Sequence, residues 1–563
     1  MSCKLCAFVG LLCVASLSAM PAMPAMPAMP GRDVRAVGHR WPGAVDRPEP
    51  VKQAVDQSRD MLVLLVDFTD NTQSHASTEF QQLLFGSGGS SMRDYYLEAS
   101  FGSLAIGGQI AGWYRADQPY SYYLGDSFGI YGDFPHNSQG LVAALVRAAD
   151  PDVDFSRFDH DHDGVVDELL VVHAGPGAEE TGNPHDIWSH KWQLSDPVFG
   201  SPGPVQTQDG VTVDAFSVEP ERFVGGRLMS IGVFCHEFGH LLGMPDLYDT
   251  DYSTYGLGCF CLMAAGSWAR ASESDPPGSC PVLPCAWNKY LLGWVRPESV
   301  EQGGVDSVEA AHLPAAAANP VAYRVLKNPD GADWRAAGSG SGEYFLVENR
   351  QRLGFDRGLP GSGLLILHVD ESQTDNSTEA HPLVGILQAD HSPGYALPMG
   401  DLGGDGDLWK QSDTGVGSFT VPSTAFYDGV QSGAAVYGIS GSDSVMTAGM
   451  RIAPMFLGRV YSFPNPVVVR TRSDRATIVY APTDTERLAG QHPDFKVRIF
   501  NLAGEPVRVL AGPDEVNPQH RAAYWDVKND QGRPATSGLY FYTVEIEESG
   551  IAEQSVGRLT VVR

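Results

Sequence analysis

The chain has 563 residues, 68 of them acidic and 38 basic, giving a formal net charge of −30. A surface that negative repels phosphate backbones, which argues against nucleic-acid binding and favours solubility and cation binding. The length allows three or four domains.

Lys4 precedes an apolar run from Cys6 to Leu17, and Ser16, Ser18 and Ala19 supply a small-residue cleavage site, so residues 1–19 read as a signal peptide. Cys13 follows Leu12 rather than a small residue, which argues against a lipoprotein box. Residues 20–58 begin with Met-Pro-Ala repeats to Pro30 and read as a low-complexity spacer or short prosegment. With no cysteine in it, that segment has no thiolate to cap a metal. No other stretch approaches the ~20 apolar residues of a membrane span. Of eight cysteines, three fall in the signal peptide; Cys235, Cys259, Cys261, Cys280 and Cys285 remain. An odd five in an exported chain allows at most two disulfides. The expected location is secreted or cell-surface.

Residues 59–298 read as the first folded domain. Met61–Phe68 is a buried strand, Leu141–Ala149 a helix, and Leu169–Gly175 a further strand. His173, at the end of that strand, reads as structural. Between them, Asp159, Asp161 and Asp163 alternate, Gly164 permits a sharp turn, Val165 offers its carbonyl and Asp167 closes the shell. Oxygen ligands in that pattern suit a structural calcium ion. The twelfth loop position holds Leu170, not the bidentate glutamate of a sensor loop, with Glu168 as a substitute.

The most informative stretch is His236-Glu237-Phe238-Gly239-His240, followed by Gly243 and Asp246. On a helix, His236 and His240 project from one face and can bind one zinc ion. Glu237 is placed to act on a water as general base, Gly243 to end the helix, and Asp246 to supply the third ligand in preference to Asp249 or Asp251. Cys235 points about 100° away from the histidine face, so a buried or disulfide role is expected for it. Downstream, Leu262-Met263-Ala264-Ala265-Gly266-Ser267-Trp268 is a small-residue turn on a methionine, the hydrophobic floor found beneath metzincin zinc sites.

Residues 299–455 carry β-forming runs, including Tyr344–Asn349 and Leu364–Asp370, and read as a β-rich domain. Glu348, His368 and Asp370 in those runs suggest another metal site, but polar strand positions explain them as well and they are left unassigned. Asp401, Asp405 and Asp407 form a weaker cation-loop pattern in a Gly-rich turn. Residues 456–563 alternate and turn at strand-length spacing, as a β-sandwich does.

His236–Asp249, Leu262–Trp268 and Pro284–Trp294, with Tyr95–Gly102 and Trp188–Trp192 upstream, resemble the immune inhibitor A family of secreted bacterial zinc metallopeptidases. The resemblance runs from about Met61 to about Ile452. It implies an α+β metzincin-like domain, endopeptidase activity on protein or peptide substrates, catalytic Zn2+ and structural Ca2+. The chain departs from some metzincins in having Asp246 as third ligand and Ala265 where others carry a tyrosine. Tyr248, Tyr252 and Tyr255 are therefore unranked as the group stabilising the tetrahedral intermediate. Residues from about Tyr461 to Arg563 resemble the immunoglobulin-like module of flagellar hook-assembly proteins and C-terminal sorting domains, which implies contact with secretion machinery or attachment to the cell surface. The expected function is a secreted zinc endopeptidase using a zinc-activated water with Glu237 as general base. The alternatives are a catalytically silent adhesin and a zinc amidase acting on cell-wall cross-links.

Overall fold

A computed structural model describes residues 57–563 apart from 126, 252, 302–305, 329–341, 391, 393, 413, 419, 453–458, 472–473, 482–493, 512–514, 518–521 and 549–550. The expected signal peptide and nearly all of the expected spacer lie outside the described residues, as does Tyr252. The chain divides into two units: the first comprises the described residues up to Asp246, Gly258–Cys285 and Arg352–Leu359; the second Leu247–Leu257, Ala286–Gln351 and Pro360–Arg563.

The first unit mixes helices with a five-stranded sheet and a small two-stranded one among the described residues. Its elements are β1 (Gln57–Asp67), α1 (Ser77–Phe85), α2 (Met92–Ala99), β2 (Leu104–Arg115), α3 (Ser138–Ala149), β3 (Leu169–His173), α4 (Ala178–Thr181), β4 (His190–Gln193), β5 (Val205–Gln206), β6 (Thr212–Val213), β7 (Ala215–Pro220) and α5 (Ile231–Leu241). The main sheet runs β2-β1-β3-β7-β4, parallel except for the antiparallel edge strand β4. A strand inside a parallel sheet is covered on both faces, which is why β1 is a continuous apolar run rather than an alternating one. Leu62, Leu64 and Val66 pack into one core with Leu141, Val142, Leu145 and Val146 of α3. Burying each such side chain contributes about 1.5–3 kcal/mol. Asn137 starts α3 by accepting the Gly140 N–H at 3.1 Å, satisfying a donor the first turn would otherwise leave open.

Helix α5 is almost wholly buried and touches α2, β4 and β7. The Tyr96 hydroxyl of α2 donates to Cys235 O at 2.5 Å, and its ring meets Phe238 edge-on with centroids 4.9 Å apart. Tyr95 donates to Val282 O at 2.8 Å. The tyrosines of the Tyr95–Gly102 motif thus brace α5. All five described cysteines are buried, and the two disulfides the sequence allowed do not form among the described residues. Cys280 and Cys261 are engaged instead by Phe355 O and by the Cys285 N–H.

The second unit is rich in strands. It contains α6 (Ala286–Leu291), β8 (Glu298–Val300), β9 (Ser307–Pro314), β10 (Tyr323–Val325), β11 (Glu343–Arg350), β12 (Gly363–Asp370), β13 (Val384–Ile386), β14 (Val416–Gly417), β15 (Ala434–Tyr437) and β16 (Val445–Ile452). Sheets β13-β12-β11-β10-β8 and β14-β15-β16-β9 share a core that includes Phe345, Val347, Ile366, Leu387, Trp409, Val436 and Met446. The remaining strands, β17 to β25, lie between Arg459 and Val562 in a four-stranded and a five-stranded sheet around Ile478, Ile499, Trp525, Tyr542 and Leu559.

Gly232 marks the closest approach of α5 to its surroundings. A Cβ there would lie 1.9 Å from Ser267 O and 2.9 Å from Gly278 Cα, both backbone atoms. Gly232→Ala is expected to destabilise the first unit by about 3 kcal/mol, the upper end of overpacking costs, read as a lower urea midpoint with an unchanged slope.

Candidate metal centre

On α5, the rings of His236 and His240 stand one turn apart with centroids separated by 4.8 Å. Gly243 takes φ +97° and ends the helix, while the Met244 N–H donates back to Gly239 O at 3.0 Å. That left-handed turn suits glycine, and it brings Asp246 back over the histidines. Asp246 Oδ1 lies 3.1 Å from His236 Nε2 and 3.2 Å from His240 Nε2.

Backbone carbonyls orient both rings. His236 Nδ1 is 3.0 Å from Leu262 O, and His240 Nδ1 is 2.8 Å from Met244 O. A carbonyl only accepts, so each Nδ1 carries a proton and each Nε2 is turned toward Asp246. Two imidazole nitrogens and one carboxylate oxygen therefore converge, and Asp246 Oδ1 is buried without a hydrogen-bond partner. These residues fit a zinc ion: the ligand–ligand edge of a tetrahedral site with bonds of about 2.0 Å is about 3.3 Å. Burial alone would lower the His236 pKa, but the Asp246 carboxylate beside it raises it. Burial would likewise raise Asp246, yet the charges of His240 and His236 hold it below the usual carboxylate range. Protons and a divalent cation thus compete for the same donor atoms.

Glu237 stands next to this group, 5 % exposed, with Oε2 buried and unpartnered. Burial raises its pKa against the pull of His236 and His240. Met263 is fully buried beneath α5, where a Cβ on Gly239 would lie 2.7 Å from its Sδ. The absence of a side chain at Gly239 lets the helix settle on the methionine turn. Cys235 is buried outside the donor group. Tyr248 and Tyr255 belong to the second unit.

In the acidic loop, carboxylate oxygens of Asp159, Asp161 and Asp167 converge, helped by φ +91° at Gly164. Asp163 is not in that group; its Oδ1 accepts the Val165 N–H at 2.8 Å. Asp167 and Glu168 also converge with His160. In the second unit, Asp249 and Asp251 converge with Glu379. The weaker loop does not assemble among the described residues: Asp405 pairs with Lys410 at 2.6 Å, and Asp401 caps the Gly403 N–H.

Sequence reading missed a buried polar layer beneath Glu237. Glu219 on β7 is 0 % exposed with both carboxylate oxygens unpartnered. Burial pushes its pKa well up, and Glu237 and Glu179 push it further. Burial raises Glu179 to about 7, although the Ser189 N–H and hydroxyl both donate to it. His173 and His190 are buried with Nδ1 bonded to Ala174 O and Trp188 O and Nε2 unpartnered; burial lowers both to about 4. The signal was present in Ser217-Val218-Glu219-Pro220-Glu221, one carboxylate in a strand otherwise built for burial and a second just past its end. Glu221 is accounted for structurally, because it accepts the N–H groups of Ser74, His75 and Gly175.

A helix carrying His-Glu-x-x-His, a third converging donor after its C-terminal glycine, and a glutamate beside them define a metallopeptidase domain. Residues 49–295 match the family model for the immune inhibitor A peptidase M6 catalytic domain. Pre-pro-metalloprotease PrtV of Vibrio cholerae is 31 % identical over 286 residues, which cover 41 % of this chain and 29 % of that one. Immune inhibitor A of Bacillus thuringiensis subsp. alesti is 29 % identical over 280 residues, covering 41 % of this chain and 40 % of that one. The match thus spans well under half the length of either curated relative. Among solved structures, dimeric latent PorU from Porphyromonas gingivalis aligns with 21 % of this chain and 11 % of its own at 20 % identity, with a TM-score of 0.15. PorZ from the same organism aligns with 41 % of this chain and 36 % of its own at 13 % identity, with a TM-score of 0.14.

Glu219 gives the centre a pH signature. A carboxyl whose folded pKa is raised contributes stability that is fully present below its unfolded pKa and is lost as pH rises toward the folded value. The window opens near 4.5, the ordinary glutamate value, and extends well above it. Glu219→Gln is expected to gain stability relative to wild type by up to about 1.4 kcal/mol per pH unit between pH 5 and 7. Denaturant midpoints across that range measure it.

Proposed function

We propose that the chain is a secreted zinc endopeptidase that cleaves peptide bonds of extracellular proteins. The observation that carries this reading is the convergence of His236 Nε2, His240 Nε2 and Asp246 Oδ1 with the Glu237 carboxylate alongside. The peptidase M6 domain match supports it.

A zinc ion bound by His236, His240 and Asp246 would supply a Lewis acid that polarises the scissile carbonyl and acidifies a water. Glu237 takes the proton from the attacking water and delivers it to the departing amine. Its burial favours the protonated form and so helps it take the proton from water, while the cationic surroundings favour the carboxylate and so help it release the proton to the amine. The Leu262 and Met244 carbonyls keep both imidazoles oriented through this cycle. The buried Met263 under Gly239 supports a metzincin-like assignment.

Calcium is assigned to Asp159, Asp161 and Asp167, with Asp163 and the Val165 carbonyl completing the loop. Its role there is structural, since three carboxylates that close repel one another without a cation. The strands between Arg459 and Val562 are assigned to an immunoglobulin-like sorting or attachment module, supported by their two sheets around one core. Export is supported by the apolar N-terminal run and by the name of the Vibrio relative, a pre-pro-metalloprotease. No helix among the described residues is long and apolar enough to cross a membrane.

Casein hydrolysis by protein purified with calcium tests the reading. Wild type should be active, lose activity on chelation and regain it with zinc. Glu237→Gln should keep its zinc and fold yet lose at least about 10²-fold in rate. Hydrolysis by that variant at the wild-type rate would overturn the role given to Glu237.

A further inference from the structure

The second unit holds a group of donors that neither the peptidase reading nor the sequence resemblance uses. Register places Glu343 of β11 directly opposite Asp370 of β12. Paired residues in an antiparallel sheet project from the same face, so two carboxylates sit side by side where like charges destabilise the pairing. Asp370 is 4 % exposed. Among the described residues, the ion-pair partners of both are histidines: His368 Nε2 lies 3.0 Å from Glu343 Oε2, and His381 Nε2 lies 2.5 Å from Asp370 Oδ2. Both partners are imidazoles, and neither is a lysine or arginine. Donor atoms of Glu343, Asp370 and His381 all lie within 4.8 Å of one another.

The surroundings hold these groups in place and are themselves left unsatisfied. Glu343 Oε2 accepts from His368 and from the Tyr427 N–H at 3.1 Å, which fixes the carboxylate. Asp370 Oδ1 accepts the Ser372 N–H at 2.9 Å. The Tyr427 ring is sandwiched between the imidazoles of His368 and His381, with centroids 4.1 and 4.2 Å away. Its hydroxyl lies over Gly385, where a Cβ would come within 2.9 Å of it. Gly385 pairs with His368 across β12 and β13, so the hydroxyl is on the same sheet face as the two carboxylates. That hydroxyl is buried without a partner, as is Nδ1 of the fully buried His368. Leaving such groups unsatisfied is destabilising, a cost that an ion with its own water would relieve.

We propose that Glu343, Asp370 and His381 form a second divalent-cation site, of the zinc type, in the strand-rich unit. One imidazole and two carboxylates are a borderline donor set that suits zinc or a similar transition ion better than calcium. His368 and Tyr427 orient the ligands from behind. Glu348, which the sequence groups with His368 and Asp370, lies on the opposite face of β11 by register and bonds Arg350 and the Ala286 N–H.

The test counts zinc bound to the full chain after equilibration with Zn2+ and removal of the free ion, with calcium in excess so that oxygen-only loops stay filled. Wild type should retain two equivalents by elemental analysis. His381→Ala and the isosteric Glu343→Gln should each retain one, as should His236→Ala/His240→Ala, which leaves this site intact. His381 is 35 % exposed, so its truncation is expected to spare the fold, and circular dichroism with the melting temperature checks this. A wild type with a single equivalent that disappears in His236→Ala/His240→Ala would overturn the second site and leave the peptidase centre standing. Folded His381→Ala and Glu343→Gln proteins with wild-type zinc content would overturn it as well.

Discussion

Two imidazole-to-backbone hydrogen bonds hold the metal centre together. His236 Nδ1 is tied to Leu262 O and His240 Nδ1 to Met244 O. Without them either ring could rotate about its side-chain bonds, and no position on the helix would fix where its Nε2 points. The two carbonyls come from different places. One belongs to the methionine turn, and the other to the chain as it leaves the helix. The centre is therefore assembled only when the turn, the helix and its exit are all seated, and Gly232 and Gly239 are the positions where that seating needs bare backbone.

This arrangement is costly for the rest of the domain. Glu237, Glu219 and Glu179 are three buried carboxyls; Glu237 pushes up the pKa of both others, and Glu179 pushes up that of Glu219. An apolar layer of the same volume would be more stable. Natural folds tolerate such departures chiefly at functional sites. The compensation is local: Tyr96 braces the α5 backbone at Cys235, Ser189 satisfies Glu179, and the parallel strands behind supply a dry, rigid wall.

The same electrostatic logic recurs in the strand-rich unit. A sheet core built from Phe345, Val347 and Ile366 ends, on the same face, in Glu343 facing Asp370. Strand pairing leaves those residues no freedom to separate, because register is set by the apolar residues further along. Histidines and a tyrosine stack over them instead of lysine or arginine, so the carboxylates are hydrogen-bonded and oriented by rings.

Much of the first unit was legible in the sequence because local rules determine it. The period of a helix puts His236 and His240 on one face, Gly243 permits the left-handed exit, and an unbroken apolar run makes β1 a doubly covered strand. The sequence also showed that Asp246 is within reach of that face. What it could not show were contacts set by distant chain segments: which carbonyls orient the imidazoles, that Glu219 and Glu179 lie under Glu237, and that the five cysteines are buried apart as thiols. It grouped Glu348 with His368 and Asp370 because they are polar residues in neighbouring strands. Register instead turns Glu348 to the other face and brings in Glu343, with His381 and Tyr427 arriving from separate loops. Side-chain periodicity is a local property readable from spacing, whereas the pairing of strands and the approach of loops depend on how whole elements pack, and only the tertiary structure decides that.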